Sequence, residues 1–194
     1  MTKVGAPASS RAAALPPEER RSMIVEATLP LLIEHGEMVT TRQIADAAGI
    51  AEGTIFRVFP DKDSLIEAVV EAAFDTGPLE LALRGLERGR PLRAEVEAAV
   101  VVLQHRVVHL WRLASSIGPR FRDTTRRSLA ISPQLVELFG AHVDELRVEP
   151  PEAARLLQAI TLAVTHPVLT EEPMTAVEVA RLLLEGVGGG DPRC

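Results

Sequence analysis

Apolar residues recur at helical spacing along most of the chain, and no segment alternates with the period of two that a half-buried strand shows. The first helical stretch begins at Pro17, a residue suited to the first helical position, and ends at Gly36. The longest apolar stripe runs from Val96 to Ile117. Near the C-terminus, Thr175 and Glu178 have the spacing of a capping box. The sequence therefore predicts an all-α protein.

Breaks in this helical pattern divide the 194 residues into domains. Residues 1–16 are rich in Ala, Ser and Pro and predict a disordered tail. Gly77-Pro78 interrupts the pattern, so we predict an N-terminal domain over 17–77, a larger helical domain over 78–188 and a flexible tail over 189–194. In the larger domain we predict a short helix before Gly89, a long helix after Pro91, and helices over about 132–146, 151–166 and 175–187.

Composition narrows the class of protein. Hydrophobic residues make up 46% of the chain and charged residues 25%, and the net charge of −6 gives no bulk indication of nucleic-acid or membrane binding. Cys194 is the only cysteine, which excludes a disulfide framework and a cysteine-based zinc site. We find neither a signal peptide nor a membrane-spanning run, and expect a cytoplasmic protein without a membrane partner. Glycine-rich phosphate loops, G-x-S-x-G and H-E-x-x-H are absent, so we expect neither an enzyme nor a cofactor.

Residues 40–59 carry the pattern of a helix-turn-helix motif. Two helices this short must pack against each other around a tight turn, which favours the small Ala45 at the crossing and Gly49 in a left-handed conformation. The space between the helices requires apolar residues, and these stand at Ile44, Ala48, Ile50, Ile55 and Val58. Such a motif presents its second helix to the major groove of DNA.

The same segment resembles the DNA-binding domain of the TetR (tetracycline-repressor-like) family. The run TTRQIADAAGI-AEGTIFRVFPDKDSL matches the family signature, and Gly53-Thr54-Ile55, Phe59, Lys62 and Leu65 distinguish it from other helix-turn-helix proteins. The resemblance covers residues 17–77, about a third of the chain. It implies a three-helix DNA-binding domain followed by a larger helical bundle for ligand binding and dimerisation.

Residue chemistry and the resemblance together predict the DNA-contacting residues. Thr40 should cap the first short helix with Gln43 completing a capping box, and Arg42 is long enough to reach a guanine edge or a phosphate. Whether Arg57 contacts a base or a phosphate stays open, as does the alternative that these are simply solvated surface residues. The complete predicted set is Thr40, Thr41, Arg42, Gln43, Ala51, Glu52, Gly53, Thr54, Phe56, Arg57 and Lys62.

Two features of this segment depart from expectation for a DNA-binding domain. Residues 1–75 carry seven Lys or Arg against twelve Asp or Glu, a net charge of −5, although Arg42, Arg57 and Lys62 gather at the motif. Phe56 stands where the family usually has Tyr, so the hydroxyl that would bond a phosphate is missing. For DNA binding, the cations on the surface of the motif therefore matter more than the net charge of residues 1–75.

A second candidate site lies in the larger domain. Four polar residues share one face of the long helix, and with Phe121 they form the predicted ligand-binding set: His105, His109, Arg112, Ser116 and Phe121. The alternatives are an exposed helix face, and a metal site at the His105–His109 pair, which lacks a carboxylate to complete it, so we expect no metal. An Arg cluster at 120, 122, 126 and 127 is either a solvated surface or a site for an anionic ligand such as a carboxylate or an acyl-carrier thioester.

These observations predict a sequence-specific transcriptional regulator. We expect a repressor that binds a palindromic operator in double-stranded DNA and is released by a small-molecule effector. An effector-independent architectural DNA-binding protein is the alternative, and a helical enzyme that has lost DNA binding is a third hypothesis. The last two helices are apolar on more than one face, so we expect a homodimer through them, with Leu183 pointing outward.

Overall fold

A computed structural model describes residues 16–118 and 130–187, and within them the regular structure is helical, with no strand. The all-α prediction is thereby confirmed. The α-helices are α1 (Pro17–His35), α2 (Thr41–Ala48), α3 (Glu52–Val58), α4 (Lys62–Phe74), α5 (Gly77–Arg84), α6 (Leu92–Ile117), α7 (Pro133–Gly140), α8 (Pro150–Thr165) and α9 (Ala176–Val187). No helix in these ranges is both long and apolar enough to cross a membrane. Apart from Pro16, the predicted tails lie outside the described residues, as do Phe121 and the Arg cluster at 120–127.

One hydrophobic core joins helices α1 to α4. Ile24 and Leu32 of α1, Ile44 of α2, Ile55 of α3 and Leu65 of α4 are all fully buried in it. Helices of seven or eight residues such as α2 and α3 are marginal by themselves, so this shared burial is what stabilises them.

The end of α6 completes that core. Leu113 and Ile117 lie at the C-terminal end of this 26-residue helix and are buried in the same cluster as α1 to α4. Closer to its start, Val96 and Val100 are buried in a second core with α5, α7, α8 and α9. The long helix therefore belongs to both cores, although its sequence lies wholly on the C-terminal side of Gly77.

Two local predictions for the larger domain need correction. The interruption expected at Gly77-Pro78 lies at Asp75 and Thr76, between α4 and α5, and Gly77 and Pro78 form the first turn of α5, where a proline loses no helical hydrogen bond. The helix predicted over 132–146 ends at Gly140 and is followed by a 3-10 turn at Val143–Glu145. Glycine has a low helix propensity, which is consistent with the end of α7 at Gly140. Beyond it, the His142 ring forms a hydrogen bond with the Glu145 carboxylate in the 3-10 turn.

A buried carboxylate holds the first turn of α6. Glu95 is 2% exposed, and it accepts hydrogen bonds from the Arg90 backbone N–H at 3.1 Å and the Arg88 guanidinium at 3.4 Å. The His142 ring lies 3.6 Å from the same carboxylate. Burial by itself raises the pKa of Glu95, but the hydrogen bonds from Arg90 and Arg88 outweigh it, so the net pKa is lowered.

The prediction that Leu183 points outward is wrong. Leu183 is 1% exposed and lies in the second core of its own chain. The apolar side chains that α9 does expose are Val177, at 57%, and Leu182, at 46%. Three consecutive leucines must occupy different faces of a helix, but periodicity does not decide which of them faces inward.

Candidate nucleic-acid interface

The helix-turn-helix begins at a capping box on Thr40. The Thr40 hydroxyl accepts from the Gln43 N–H at 3.2 Å, and the Gln43 side-chain oxygen accepts from the Thr40 N–H at 2.8 Å. The capping box predicted from the sequence is therefore confirmed. It fixes the entry to α2 and leaves the neighbouring Thr41 and Arg42 in the first helical turn.

Gly49 forms the turn between the two helices. Its φ of 65° and ψ of 32° are left-handed, a conformation that favours glycine. The N–H of Ile50 donates to the Ala45 carbonyl oxygen at 3.0 Å, which closes the end of α2. This geometry directs the chain into α3, and the fully buried Ile55 of α3 and Ala45 of α2 belong to the same core.

The second helix of the motif, α3, presents an open outer face. Ile55 is buried, whereas Gly53, Phe56 and Arg57 are exposed, Phe56 at 50%. Apart from its chain neighbours and the backbone of its own helix, no heavy atom of the described residues lies within 4 Å of the position that a Cβ would take at Gly53. This surface can therefore approach a partner closely without displacing protein atoms.

Two predicted contact residues are bonded to each other. The Thr41 hydroxyl donates to the Glu52 carboxylate, joining the first turn of α2 to the first turn of α3. Eleven residues separate them in sequence, so local pattern gave no signal of this bond. The pairing orients the two short helices and gives Glu52 a partner within the protein.

Lys62 is also engaged within the protein. Its Nζ donates to the Glu37 carbonyl oxygen at 2.5 Å, in the 3-10 turn Gly36–Met38. An ammonium group has three donors, so others remain for a phosphate. Beside it, Asp61 caps α4 by accepting from the Ser64 N–H at 2.8 Å, and this bond lowers the pKa of Asp61.

This geometry matches a known family in both sequence and fold. Residues 24–69 match the family model described as bacterial regulatory proteins, tetR family. The HTH-type transcriptional repressor Rv3405c of Mycobacterium tuberculosis is 30% identical over 135 residues, which cover 63% of this chain and 72% of that protein. The chain belongs to the TetR family. As a TetR-family protein it is a DNA-binding transcriptional regulator, which confirms that part of the expected function.

The chain is also similar to two other proteins, to one along most of its length and to the other over a short segment. The TetR transcriptional regulator SCO0520 of Streptomyces coelicolor is 22% identical, covers 88% of this chain and 99% of its own, and superposes with a TM-score of 0.55, which supports the fold. The nucleoid occlusion factor SlmA of Haemophilus ducreyi is 39% identical over 56 residues. This TetR-family chain spans only 28% of the length of that protein.

A cavity of about 500 Å³ lies in the larger domain of this TetR-family protein. Phe74, at the end of α4, forms part of its wall and is also buried in the helix-turn-helix core. The wall is mainly apolar, and Leu103, Val107 and Leu110 contribute to it from α6. Its polar or amphipathic members are Thr76, Glu80, Arg106, Trp111, Arg155, Gln158, Thr161 and His166.

Four residues of the predicted ligand-binding set are described, and none of them is among the residues that line this cavity: His105, His109, Arg112 and Ser116. His105 and Arg112 are exposed, and the Ser116 hydroxyl donates to the Leu113 carbonyl oxygen at 2.8 Å. His109 is partly buried, and burial, with the nearby cation of Arg106, lowers its pKa. On α6 the cavity is lined instead by residues of the apolar stripe, Leu103, Val107 and Leu110. Within the described ranges, no three His, Cys, Asp or Glu side chains are grouped to hold a metal ion.

Arg106, whose guanidinium lies at the cavity wall, was not predicted from the sequence. It donates to the Asp75 carbonyl oxygen at 2.9 Å, just beyond the end of α4. Burial lowers the pKa of Arg106, while the Asp75 charge acts in the opposite direction. An arginine flanked by Val107 and His105 gave no pattern that would separate it from a solvated residue.

Proposed function

We propose that this TetR-family protein is a repressor that binds a palindromic operator as a homodimer and leaves it when a small molecule occupies the cavity. The observation that carries the proposal is the position of Phe74, which is part of both the cavity wall and the helix-turn-helix core. A ligand that reshapes the cavity therefore acts directly on the end of α4.

The proposed DNA-binding surface is the outer face of α3 together with the first turn of α2. Two such helices, one from each protomer, would enter successive major grooves about 34 Å apart. Arg42 and Arg57 would supply charge-assisted contacts, and Thr54 would touch a base edge or a thymine methyl group. Glu52 would accept from a cytosine amino group, either alongside or in place of its bond to Thr41.

Three contacts support coupling between the cavity and the DNA-binding domain. Arg106 binds the Asp75 carbonyl oxygen, Leu113 is buried in the helix-turn-helix core, and the Ser116 backbone lies against Gly36. All three belong to α6, which also lines the cavity. The conformation that fits two half-sites has one position of α6. An effector that binds better to a conformation with a different position of α6 would lower the population of the DNA-binding conformation.

Dimerisation is proposed through α8 and α9, the two helices expected from the sequence. Leu162 on α8 is 37% exposed, and Val177 and Leu182 on α9 expose about half of their surfaces. A C₂ axis would bring these apolar faces together in an isologous interface. Two half-sites would then be bound by one rigidly spaced pair of recognition helices.

Selection of bound sites from random DNA, followed by a screen for release, tests the proposal. We expect an inverted repeat to be enriched, and we expect small amphipathic molecules to release it. A control protein with the cavity narrowed by Ala159→Phe, at an exposed residue of the wall, should bind the same DNA but respond less to those molecules. Enrichment of DNA with no molecule able to release it would favour the effector-independent alternative.

A further inference from the structure

Most polar groups around the cavity are already satisfied by the protein. Glu80 accepts hydrogen bonds from the Ser132 hydroxyl at 2.9 Å and from the Gln134 N–H at 3.3 Å. Gln158 accepts from the Ser132 N–H at 3.0 Å and donates to the Ala130 carbonyl oxygen at 3.1 Å. These groups hold the chain around Ser132 in place and have little capacity left for a ligand.

Thr161 is different, because its hydroxyl has no partner. The residue is fully buried, and among the described residues its Oγ1 is the buried side-chain polar atom that lacks a hydrogen bond. Buried hydroxyl groups are normally paired, so an unpaired hydroxyl on a residue of the cavity wall is a candidate partner for a polar ligand atom. Thr161 is one of the residues that line the cavity, and its hydroxyl has one O–H donor that no group among the described residues accepts.

Arg106 is the second group with unused capacity. A guanidinium has five N–H donors, and the one hydrogen bond observed for Arg106 goes to a backbone carbonyl oxygen. Within the described ranges no carboxylate lies within 4 Å of it, and the attraction of Asp75 is longer-ranged. By contrast Arg155, also in the wall, is largely exposed and pairs with Glu152 at 3.4 Å.

These two donors and the apolar wall together define a ligand chemistry. A partly buried cation is best compensated by an anion, and a carboxylate matches the planar donor pattern of a guanidinium. Building on the proposed function, we propose that the cavity takes an amphipathic carboxylic acid whose carboxylate pairs with Arg106. Its apolar body fills the space beside Leu103, Val107 and Leu110, and the Thr161 hydroxyl donates to a ligand oxygen.

Ligand binding to the cavity can be measured through the fluorescence of Trp111. Trp111 is the only tryptophan in the chain, it lines the cavity, and its ring lies 4.4 Å from that of His166. The full-length protein is titrated with decanoate, 1-decanol or decylamine, each below its micellar concentration, and Trp111 fluorescence is followed. We expect decanoate to bind saturably and about tenfold or more tighter than 1-decanol, and decylamine to bind more weakly than either.

Substitutions at Arg106 and Thr161 distinguish the effect of the Arg106 charge on ligand affinity from the effect of side-chain size. Arg106→Gln should weaken decanoate binding about ten- to a hundredfold and leave 1-decanol binding unchanged, whereas Arg106→Lys should retain much of the preference for the acid. Thr161→Val removes the hydroxyl at nearly constant volume and should weaken decanoate binding several-fold without lowering the melting temperature. Arg93→Gln is the matched control, because Arg93 is an exposed arginine of the same helix that is not among the residues lining the cavity, and it should change affinity by less than about twofold.

The outcomes distinguish this inference from the proposed function. Equal binding of decanoate and 1-decanol, no binding of decanoate, or an Arg106→Gln variant that keeps the preference for the acid would overturn the carboxylate assignment. Release of selected operator DNA by other molecules would still leave the repressor proposal intact. Conversely, Arg106-dependent decanoate binding that never releases operator DNA would support the carboxylate site and contradict effector control.

Discussion

At the residue scale, the cations of the helix-turn-helix differ in how freely they can meet DNA. Arg42 is exposed in the first turn of α2, beside the capping box of Thr40. Arg57 is exposed in the last turn of α3. Lys62 is half-buried and bonded to Glu37. The three cations should therefore respond differently to truncation.

Arg42→Ala should weaken operator binding without weakening the fold. If Arg42 neutralises a phosphate, the slope of log K against log salt concentration should fall in magnitude by about 0.9 for each phosphate that is left without its cation. Because the side chain is exposed, the free energy of unfolding should change by less than about 0.5 kcal/mol. Binding isotherms at several salt concentrations measure the slope, with Arg93→Ala, an exposed arginine of α6, as the control. An unchanged slope together with unchanged affinity would contradict the docking of α2 on DNA.

Lys62→Ala provides a useful comparison with Arg42→Ala. Here the hydrogen bond to Glu37 is removed as well, so the unfolding free energy should fall by about 1 kcal/mol in addition to any decrease in DNA affinity. Chemical denaturation of the two variants side by side separates the structural part from the phosphate interaction.

Arg57→Ala should change specificity more than general affinity. The side chain lies on the exposed side of α3, opposite the buried Ile55, where base edges are expected. Removing it should relax discrimination at one base pair in each half-site by about 1–3 kcal/mol. Affinities for a panel of single-base operator variants measure this effect. A uniform decrease across the panel would identify Arg57 as a phosphate-binding residue.

At the element scale, two glycines end the helices that meet between the domains. Gly36 follows α1 with φ 57° and ψ −146°, and Gly118 follows α6 with φ 56° and ψ −127°. A Cβ at Gly36 would lie 2.7 Å from the Ser116 carbonyl oxygen, whereas a Cβ at Gly118 would meet no atom of the described residues within 4 Å beyond its chain neighbours. The two positions share a backbone conformation and differ in their surroundings.

Comparing the unfolding free energies of Gly36→Ala and Gly118→Ala measures how tightly the end of α6 packs against the end of α1. Gly118→Ala should cost about 1–3 kcal/mol of unfolding free energy, because this backbone region suits glycine alone. Gly36→Ala should cost at least about 1 kcal/mol more, because the end of α6 must also move away. It should further change operator affinity, measured on the same DNA. Equal destabilisation by the two variants would show that Gly36 and Ser116 do not pack tightly.

Glu95 makes the start of α6 sensitive to acid. Its pKa is below the ordinary value of 4.5, so its contribution to stability is complete above that pH and is lost as the pH falls through the lowered pKa. Glu95→Gln should therefore lower the unfolding free energy by about 1–3 kcal/mol at pH 7, and the gap from wild type should narrow below pH 4.5. Denaturation curves across this pH range test it, with Glu87→Gln, which is 79% exposed, as the control. If the difference in unfolding free energy between wild type and Glu95→Gln does not change with pH, the ionised carboxylate of Glu95 is not the cause of that difference.

Local features of the elements could be predicted from sequence, whereas contacts between elements could not. The Thr40 capping box and the left-handed Gly49 are determined by residues within a few positions of each other, and both were predicted correctly. The bond between Thr41 and Glu52 and the cavity wall at Arg106 depend on how helices pack, which periodicity leaves undetermined. An apolar stripe indicates burial, but it does not distinguish a filled core from the wall of a cavity.

At the scale of the whole molecule, α6 connects the proposed ligand cavity with the core of the helix-turn-helix. The same helix lines the cavity, buries Ile117 in the helix-turn-helix core and lies against Gly36. Close-packed cores deform little, so we expect a change at one part of this helix to be transmitted along it rather than absorbed. A coupling of about 1–3 kcal/mol, typical of allosteric proteins, would be enough to change operator affinity about 5- to 150-fold.

The proposed dimer depends on this architecture as well, and two adjacent leucines test it. Leu182 is 46% exposed on α9, whereas Leu183 is 1% exposed inside the chain's own core. Leu182→Glu should place two like charges across the C₂ interface and give folded monomers in sedimentation at micromolar concentration. These monomers should bind a two-half-site operator weakly, because each half-site supplies only part of the binding free energy.

Leu183→Glu should instead lower the melting temperature sharply, because it buries an unpaired carboxylate among apolar side chains. The pair thus separates disruption of the interface from disruption of the fold. If wild type sediments as a monomer, or if Leu182→Glu remains dimeric with full operator affinity, the interface does not lie on this face of α9.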